Sequence, residues 1–129
     1  MIAMPTYSDK YIEKWIGYLN SIDRDMNRLA PEKLGRTKNP VVVPELIKSL
    51  QNRPDDIRIG AARALGEIGD PAAVRHLIPL LKDENPLVAS TAADSLGAIG
   101  DPAATKGLVE FLRDFKSAHN RHRQTHGFD

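Results

Sequence analysis

Three histidines near the carboxyl end of the chain come nearest to a set of metal ligands. His119, His122 and His126 stand at positions i, i+3 and i+7, so on a helix their imidazoles would share one face, and imidazole is a common zinc ligand. No carboxylate neighbours them at the repeat spacing described below, and Gly127 follows directly. We therefore interpret them as part of a polar basic tail and predict no metal site, although the sequence leaves a metal-binding role of this segment open.

The spacing of the other chemically reactive residues along the sequence does not indicate a catalytic site. The chain has no cysteine, which excludes disulfides, thiolate metal sites and a cysteine nucleophile. His76 stands alone, and no spacing indicates a Ser–His–Asp set. Gly66-x-x-Gly69 and Gly97-x-x-Gly100 do not follow a strand, so they are not a phosphate-binding loop. These observations favour a protein that is not an enzyme and holds no cofactor.

A repeat of 31 residues must position whatever surface the chain uses. The stretch from Ala64 to Ala73 returns from Ser95 to Ala104, with differences only at Ala64/Ser95 and Glu67/Ala98. Periods of about 20 to 50 residues are typical of solenoids, in which no unit buries its own apolar face and neighbouring units must stack. The sequence therefore predicts a stacked repeat architecture.

Each clear unit is predicted to contain two helices. The spacing of apolar residues places helices at residues 56–68, 71–82, 87–99 and 102 to about 114. Gly69 follows the first of these, where a left-handed cap is expected. Asp70 and Asp101 each precede a proline, the arrangement of an N-cap followed by the first helical residue. We therefore predict that both aspartates are structural caps rather than catalytic acids.

Weaker copies of the unit precede the clear ones. Asn39-Pro40 replaces Asp70-Pro71 one period earlier, and Ser8 occupies the cap position before that, so Ser8 and Asn39 are also predicted caps. This gives one domain over residues 1–114, with a degenerate unit at 8–38 and clear repeats at 39–114. Pro31 falls inside a helix predicted at 25–35 and is expected to kink or split it.

The repeat is not predicted to continue beyond the last clear unit. Ile57 and Val88 are equivalent, and the next step of the period should be apolar but is His119. We therefore expect residues 115–129 to form a frayed helix end and a polar, basic tail.

Composition and charge exclude several classes of protein. The chain is 41% hydrophobic and 27% charged, which is ordinary for a globular domain. Aromatic residues make up only 5%, so the core must consist of aliphatic side chains. No apolar run approaches the ~18 residues that span a membrane, and no signal peptide is visible. The net charge of +1 does not by itself indicate nucleic acid, and we expect a cytoplasmic protein.

The phrase from Asp56 to Asp83, with Leu65-Gly-Glu-Ile-Gly-Asp70 at its centre, resembles the HEAT-like repeat of the phycobilin-lyase type. The resemblance covers residues 55–114 well, 39–54 fairly and 8–38 weakly. It implies an all-α, right-handed α–α superhelix of about seven helices. It is specific for fold, because the repeat also occurs in many proteins that are not lyases. Ala89 stands where the family pattern favours the arginine seen at Arg58, which interrupts any arginine ladder.

The resemblance also implies that the second helices of successive units line a concave face. Positions that are not needed for the core vary between repeats there, and such positions can carry specificity. They are predicted to contact a partner protein and comprise Glu45, Lys48, Arg75, His76, Pro79, Lys106 and Glu110. Their mixed charges suggest a protein surface more than a phosphate track, and a solvated face without a partner is the alternative.

A short array leaves its terminal helices partly uncovered. We expect the carboxyl-terminal edge around Leu87, Val88, Leu108 and Phe111 to be covered by the tail, by a second copy in a homo-oligomer, or by a partner.

Three functions are consistent with these patterns. The absence of a catalytic set favours a non-enzymatic protein-interaction module or scaffold, whose partner the sequence does not identify. The resemblance implies, as an alternative, a bilin lyase-like subunit or chromophore-handling protein, which would present its cargo to a cysteine of another protein. Nucleic-acid binding would use Arg75, Lys106 and the basic tail, but Glu45 and Glu110 on the same face argue against it.

Overall fold

The protein is built from α-helices. The computed structural model describes the backbone of residues 6–126 and the side chains of residues 6–117, and this part contains no strand. Its seven α-helices are α1 (Asp9–Leu19), α2 (Arg24–Arg36), α3 (Val43–Lys48), α4 (Asp55–Ile68), α5 (Val74–Leu77), α6 (Pro86–Ile99) and α7 (Thr105–His126). Four 3-10 segments lie between them, at Pro40–Val42, Pro71–Ala73, Ile78–Lys82 and Pro102–Ala104. The predicted all-α solenoid is confirmed. Within the described residues, no helix is long and apolar enough to cross a membrane.

The helices form two layers that enclose one core. In the first-helix layer, α2, α4 and α6 pack side by side. The second-helix layer consists of α1, α3, α5 with its following 3-10 segment, and α7, each in contact with a first helix. Aliphatic side chains fill the space between the layers, as the low aromatic content predicts, and the largest of them are Leu19, Leu34, Leu46, Leu50, Ile57, Leu65, Leu77 and Leu96.

Polar side chains cap the starts of the helical segments. The Oδ1 atom of Asp70 accepts a hydrogen bond of 2.9 Å from the N–H of Ala72. The equivalent acceptors lie 2.9 to 3.1 Å from their backbone donors, and they belong to Ser8, Asn39 and Asp101. Gly69 and Gly100 end α4 and α6 with φ of 78° and 74°, a left-handed conformation that glycine adopts without a steric penalty.

The second helix predicted at residues 71–82 is not one α-helix. Only Val74–Leu77 is α-helical, and 3-10 segments lie on both sides of it. Pro79 explains the change after Leu77, because proline has no N–H to donate and its ring would clash with the carbonyl of Arg75 in an α-helix. Pro79 stands instead at the start of the 3-10 segment, where its missing N–H needs no partner within the helix.

The last helix is longer than predicted. An end near Asp114 is wrong, since α7 continues to His126. Glu110 occupies the position that Pro79 takes one repeat earlier, so nothing in α7 interrupts the α-helical hydrogen bonds. The backbone of His119, His122 and His126 therefore lies in α7, but the side chains of residues 118–129 lie outside the described residues.

Pro31 does not split α2. The helix runs without interruption from Arg24 to Arg36 with Pro31 inside it and buried. A β-carbon at Gly60 on α4 would lie 3.1 Å from the Cβ atom of Pro31. The absence of a side chain at Gly60 thus lets the proline ring pack closely on α4. We attribute the tolerance of proline in this helix to that packing.

Candidate protein-binding surface

The seven residues predicted to contact a partner all lie on the second-helix layer. Glu45 and Lys48 belong to α3, Arg75 and His76 to α5, and Lys106 and Glu110 to α7, with Pro79 in the intervening 3-10 segment. Glu45, His76 and Glu110 are half-buried, and the other four are exposed. The structure does not gather them into one site but divides them into two groups.

The first group, on α3, makes contacts within the chain. The Nζ atom of Lys48 lies 3.5 Å from Glu45 Oε1, and Asn20 Nδ2 donates to Glu45 Oε2 at 3.5 Å. Arg53 in turn donates to Asn20 Oδ1 at 3.0 Å and to the carbonyl oxygen of Leu19 at 3.1 Å. This network links the end of α1 to α3, so Glu45 already has a structural role.

Of the second group, Pro79 and Glu110 border a hollow between the 3-10 segment Ile78–Lys82 and α7. This hollow, which we call the carboxyl-terminal groove, has a volume of about 180 Å³ and is lined by Ile78, Pro79, Leu81, Lys82, Gly107, Glu110, Phe111 and Asp114. Gly107 allows the two elements to approach, because a β-carbon there would lie 3.2 Å from Leu81 Cδ1 and 3.4 Å from Ile78 Cγ2. Two of the predicted residues, Pro79 and Glu110, are brought together here.

A second hollow adjoins the groove. It has a volume of about 240 Å³, and its lining includes Arg75, Val74, Asp101 and also Ile78, which the two hollows share. Arg75 Nε donates to His76 Nε2 at 3.2 Å, so the two predicted residues of α5 contact each other, but His76 lines neither hollow. Lys106 lines neither hollow, and its predicted place beside Arg75 remains a prediction.

The groove combines apolar walls with charged groups at its rim. Ile78, Leu81 and Phe111 supply apolar surface, while Lys82 and Asp114 supply opposite charges. No group of His, Asp and Glu residues in the described part of the chain could hold a metal ion. Apolar walls with a few charged groups are typical of sites that bury a side chain of a ligand and orient the atoms around it.

An arginine-centred network fixes the end of the 3-10 segment beside this groove. Arg58 on α4 donates to both carboxylate oxygens of Asp83, one of them at 3.1 Å, and to Asp55 at 2.6 Å. Asp55 also accepts from Asn85 Nδ2 at 2.7 Å. The guanidinium of Arg58 lowers the pKa of Asp83 and of Asp55, and the two carboxylates raise the pKa of Arg58. The network holds α4 to the start of α6.

The predicted edge residues have different environments. Leu87 is 56% exposed, whereas Val88 is 0% exposed, and Leu108 and Phe111 are half-buried against the core. Including Val88 in the edge was wrong. It is the equivalent of Ile57, which is also buried, and both side chains point into the core that the two layers share.

Sequence reasoning missed most of the groove lining. The sequence predicts Pro79, Glu110 and Phe111 as contact residues but not Ile78, Leu81, Lys82, Gly107 or Asp114. One signal was available at Gly107, which stands where the other repeats have Lys14, Glu45 and His76. A glycine in a row of large polar residues indicates a close approach or a hollow.

Comparisons with known proteins agree with this architecture. A family model described as HEAT repeats matches residues 12–83 and 43–123. Among solved structures, the chain is similar to a chain in the complex of CpcE and CpcF of phycocyanin lyase from Nostoc sp. PCC7120. The two are 30% identical with a TM-score of 0.72, and the similarity covers 84% of this chain but 43% of that one. The chain therefore spans less than half the length of that relative. A comparison with curated proteins finds no significant match.

Proposed function

Because the chain belongs to the family of HEAT repeats, we propose that it binds a partner protein through the carboxyl-terminal groove and does not itself catalyse a reaction. The groove is the observation that supports this proposal. An apolar side chain of the partner would lose contact with water against Ile78, Leu81 and Phe111, while Lys82 and Asp114 would select the polar groups beside it.

The size of the groove favours a protein segment over a free small molecule. Its volume is about 180 Å³, whereas pockets for small molecules and cofactors usually measure about 300–1,000 Å³. The mixed charge of the rim also differs from the uniform positive charge that a nucleic-acid backbone requires. We therefore expect a partner segment with one or two apolar side chains between polar residues.

Affinity capture from the source lysate tests this proposal. The full chain is immobilised as wild type and as the groove variant Pro79→Glu/Glu110→Lys, which alters two of the eight residues that line the groove. The matched control is Ala98→Glu/Asp94→Lys, which makes the same changes of charge at exposed positions of α6. We expect a partner that the wild type and the control retain and the groove variant loses. Equal recovery by all three chains would exclude the groove, and recovery of the chain alone would favour self-association.

A bilin lyase-like role is the second candidate, supported by the similarity to a chain of the phycocyanin lyase complex. In this role the chain would hold a chromophore for transfer to another protein. Expression beside a bilin source tests it, since a chain that purifies with visible absorbance supports chromophore handling. A chain that purifies without visible absorbance under the same conditions would contradict chromophore handling.

A further inference from the structure

The two hollows on the second-helix layer join into one continuous trough. The adjoining hollow is lined by residues within 71–78 of one repeat and within 101–103 of the next. The carboxyl-terminal groove continues along residues 78–82 and 107–114. Because Ile78 belongs to both linings, the trough lies between the second helices of two repeats and runs in the chain direction of both. Its amino end is the adjoining hollow, and its carboxyl end is the far end of the groove.

The amino end of the trough carries a positive charge. Arg75 is exposed there, its Nε atom donates to His76, and among the described side chains it forms no ion pair. Asp101 at the same end accepts a hydrogen bond of 2.9 Å from the N–H of Ala103. The negative charge of Asp101 therefore faces the positive start of the helical segment that it caps, and the charge of Arg75 remains available.

The carboxyl end of the trough is negative. Glu110 and Asp114 are four residues apart on α7, and both line the groove. Lys82 is the one cation among the eight lining residues, so two carboxylates stand against a single ammonium group. Among the described side chains, none of these three residues forms an ion pair. The trough therefore has opposite charge at its two ends.

The middle of the trough is apolar and narrow. Ile78 and Leu81 form one wall, and Phe111 belongs to the other. The two walls approach closely at Gly107, where a β-carbon would lie 3.2 Å from Leu81 Cδ1. An α-helix with its side chains is about 10–12 Å across, so the trough suits an extended chain better than a helix.

We propose that the partner segment is extended and carries one apolar residue between an acidic and a basic residue, each two positions away from it. This inference rests on the proposed function and names the chemistry of the partner. The acidic side chain pairs with Arg75, the apolar one packs on Ile78 and Leu81, and the basic one pairs with Glu110 and Asp114. Charge complementarity thus selects a segment of the form Glu-x-Leu-x-Arg, or the same segment in reverse order.

The spacing of the charges agrees with this segment. Leu81 follows Arg75 by one turn of α-helix and three residues of the 3-10 segment, which places the apolar wall about 5–10 Å along the trough from Arg75. Glu110 and Asp114 lie about 5–10 Å beyond Gly107 on α7. Side chains on one face of an extended chain recur about every 7 Å, so three alternate side chains reach the three regions in turn.

Binding of short fluorescent peptides tests the charge pattern. The mixed peptide is Ser-Glu-Ser-Leu-Ser-Arg-Ser, and the basic peptide has Arg in place of Glu. A third peptide has Ser in place of the Leu of the mixed peptide. Fluorescence anisotropy is measured at low salt against the full wild-type chain and against Arg75→Glu. The matched control is Arg63→Glu, which makes the same change of charge at an exposed residue of α4 that lines neither hollow.

We expect the wild type and Arg63→Glu to bind the mixed peptide about fivefold more tightly than the basic peptide. Arg75→Glu should reverse this preference, because its new carboxylate repels the Glu of the mixed peptide and attracts the Arg of the basic one. The peptide without Leu should bind at least about tenfold more weakly to every chain. Salt should reduce the preference between the charged peptides, because the pairs are exposed.

The outcomes separate this inference from the proposed function. If both charged peptides bound equally to the wild type and both were lost in Pro79→Glu/Glu110→Lys, the groove would remain the binding site and the charge pattern would be wrong. An unchanged preference in Arg75→Glu would also overturn the inference, and so would the absence of saturable binding of the mixed peptide up to about 1 mM chain. A wild-type dimer that Arg75→Glu converts to a monomer, measured by light scattering, would assign the trough to a second copy and overturn it as well.

Discussion

Ser95 on α6 lies directly over Gly66 on α4, so close that a β-carbon at Gly66 would stand 2.7 Å from the serine hydroxyl oxygen and 2.9 Å from its Cα atom. The same hydroxyl donates to the carbonyl oxygen of Ala62 at 2.6 Å. The glycine in the repeated Leu-Gly sequence therefore allows two helices to pack closely. This packing explains the glycine without a phosphate-binding role.

Alanine substitutions of Gly66 and of its equivalent Gly97 should distinguish the effect of helix packing on stability from the effect of helix propensity. Gly66→Ala is expected to destabilise the chain by about 1–3 kcal/mol, because the backbone of α6 must move. Gly97→Ala, at the equivalent position of the next repeat, should stabilise it by about 0.5–1 kcal/mol, because alanine favours a helix and meets no atom there. Urea unfolding measures both values, and two changes of the same sign would contradict the packing assignment.

The cap at the start of the second helix gives another test. Asp70 accepts from the N–H of Ala72, so Asp70→Ala should lower the free energy of unfolding by about 1 kcal/mol. Asp70→Asn keeps an acceptor at this position and should retain most of the stability. Thermal unfolding compares the two variants, and an unchanged melting temperature for Asp70→Ala would disprove a capping role.

The Arg58 network should make stability depend on pH. The pKa values of Asp83 and Asp55 are lowered from their ordinary value of 3.8 by hydrogen bonds from Arg58. The stability that these carboxylates contribute is therefore present above about pH 4 and is lost as the pH falls through the lowered pKa values. Arg58→Met should destabilise the chain by about 1–3 kcal/mol at neutral pH, and this difference should shrink at about pH 2.

Urea unfolding at the two pH values measures that difference. Arg63→Met is the matched control, since Arg63 lies on the same helix and is exposed, and it should change stability little at either pH. If Arg58→Met lowered the free energy of unfolding equally at both pH values, the ionised carboxylates of Asp55 and Asp83 would not be the source of the stabilisation by Arg58.

Most of the fold could be predicted because the residues that cap and terminate the helices recur in two successive repeats. The glycine and aspartate at residues 69–70 recur at 100–101, and each pair ends one helix and caps the next. The apolar positions of α4 and α6 recur in the same way. Local capping chemistry and the 31-residue period therefore point to the same two-helix unit.

The differences between the predicted and the observed helices come from the effect of single prolines in their three-dimensional surroundings. The chain after α5 continues as a 3-10 segment that contains Pro79, and Glu110 at the equivalent position leaves α7 free to continue. Pro31 remains inside α2 and packs on Gly60 of another helix, a contact that no local pattern reveals.

The groove could not be predicted for a related reason. Whether Ile78 and Leu81 face the core or a hollow depends on how closely α7 approaches the 3-10 segment. That approach depends on Gly107, and a period counted along the chain carries no information about the distance between two elements. The variable positions of the predicted concave face include Pro79 and Glu110 but not the apolar residues behind them.

Titration of the captured partner against the purified chain tests the central claim most directly. Isothermal calorimetry compares the wild type, the groove variant Pro79→Glu/Glu110→Lys and the control Gly97→Leu, which alters α6 outside the groove lining, at equal thermal stability. If the partner binds in the carboxyl-terminal groove, the groove variant should lose at least about tenfold in affinity, or about 1.4 kcal/mol, and Gly97→Leu should not. Full affinity in the groove variant would contradict the account.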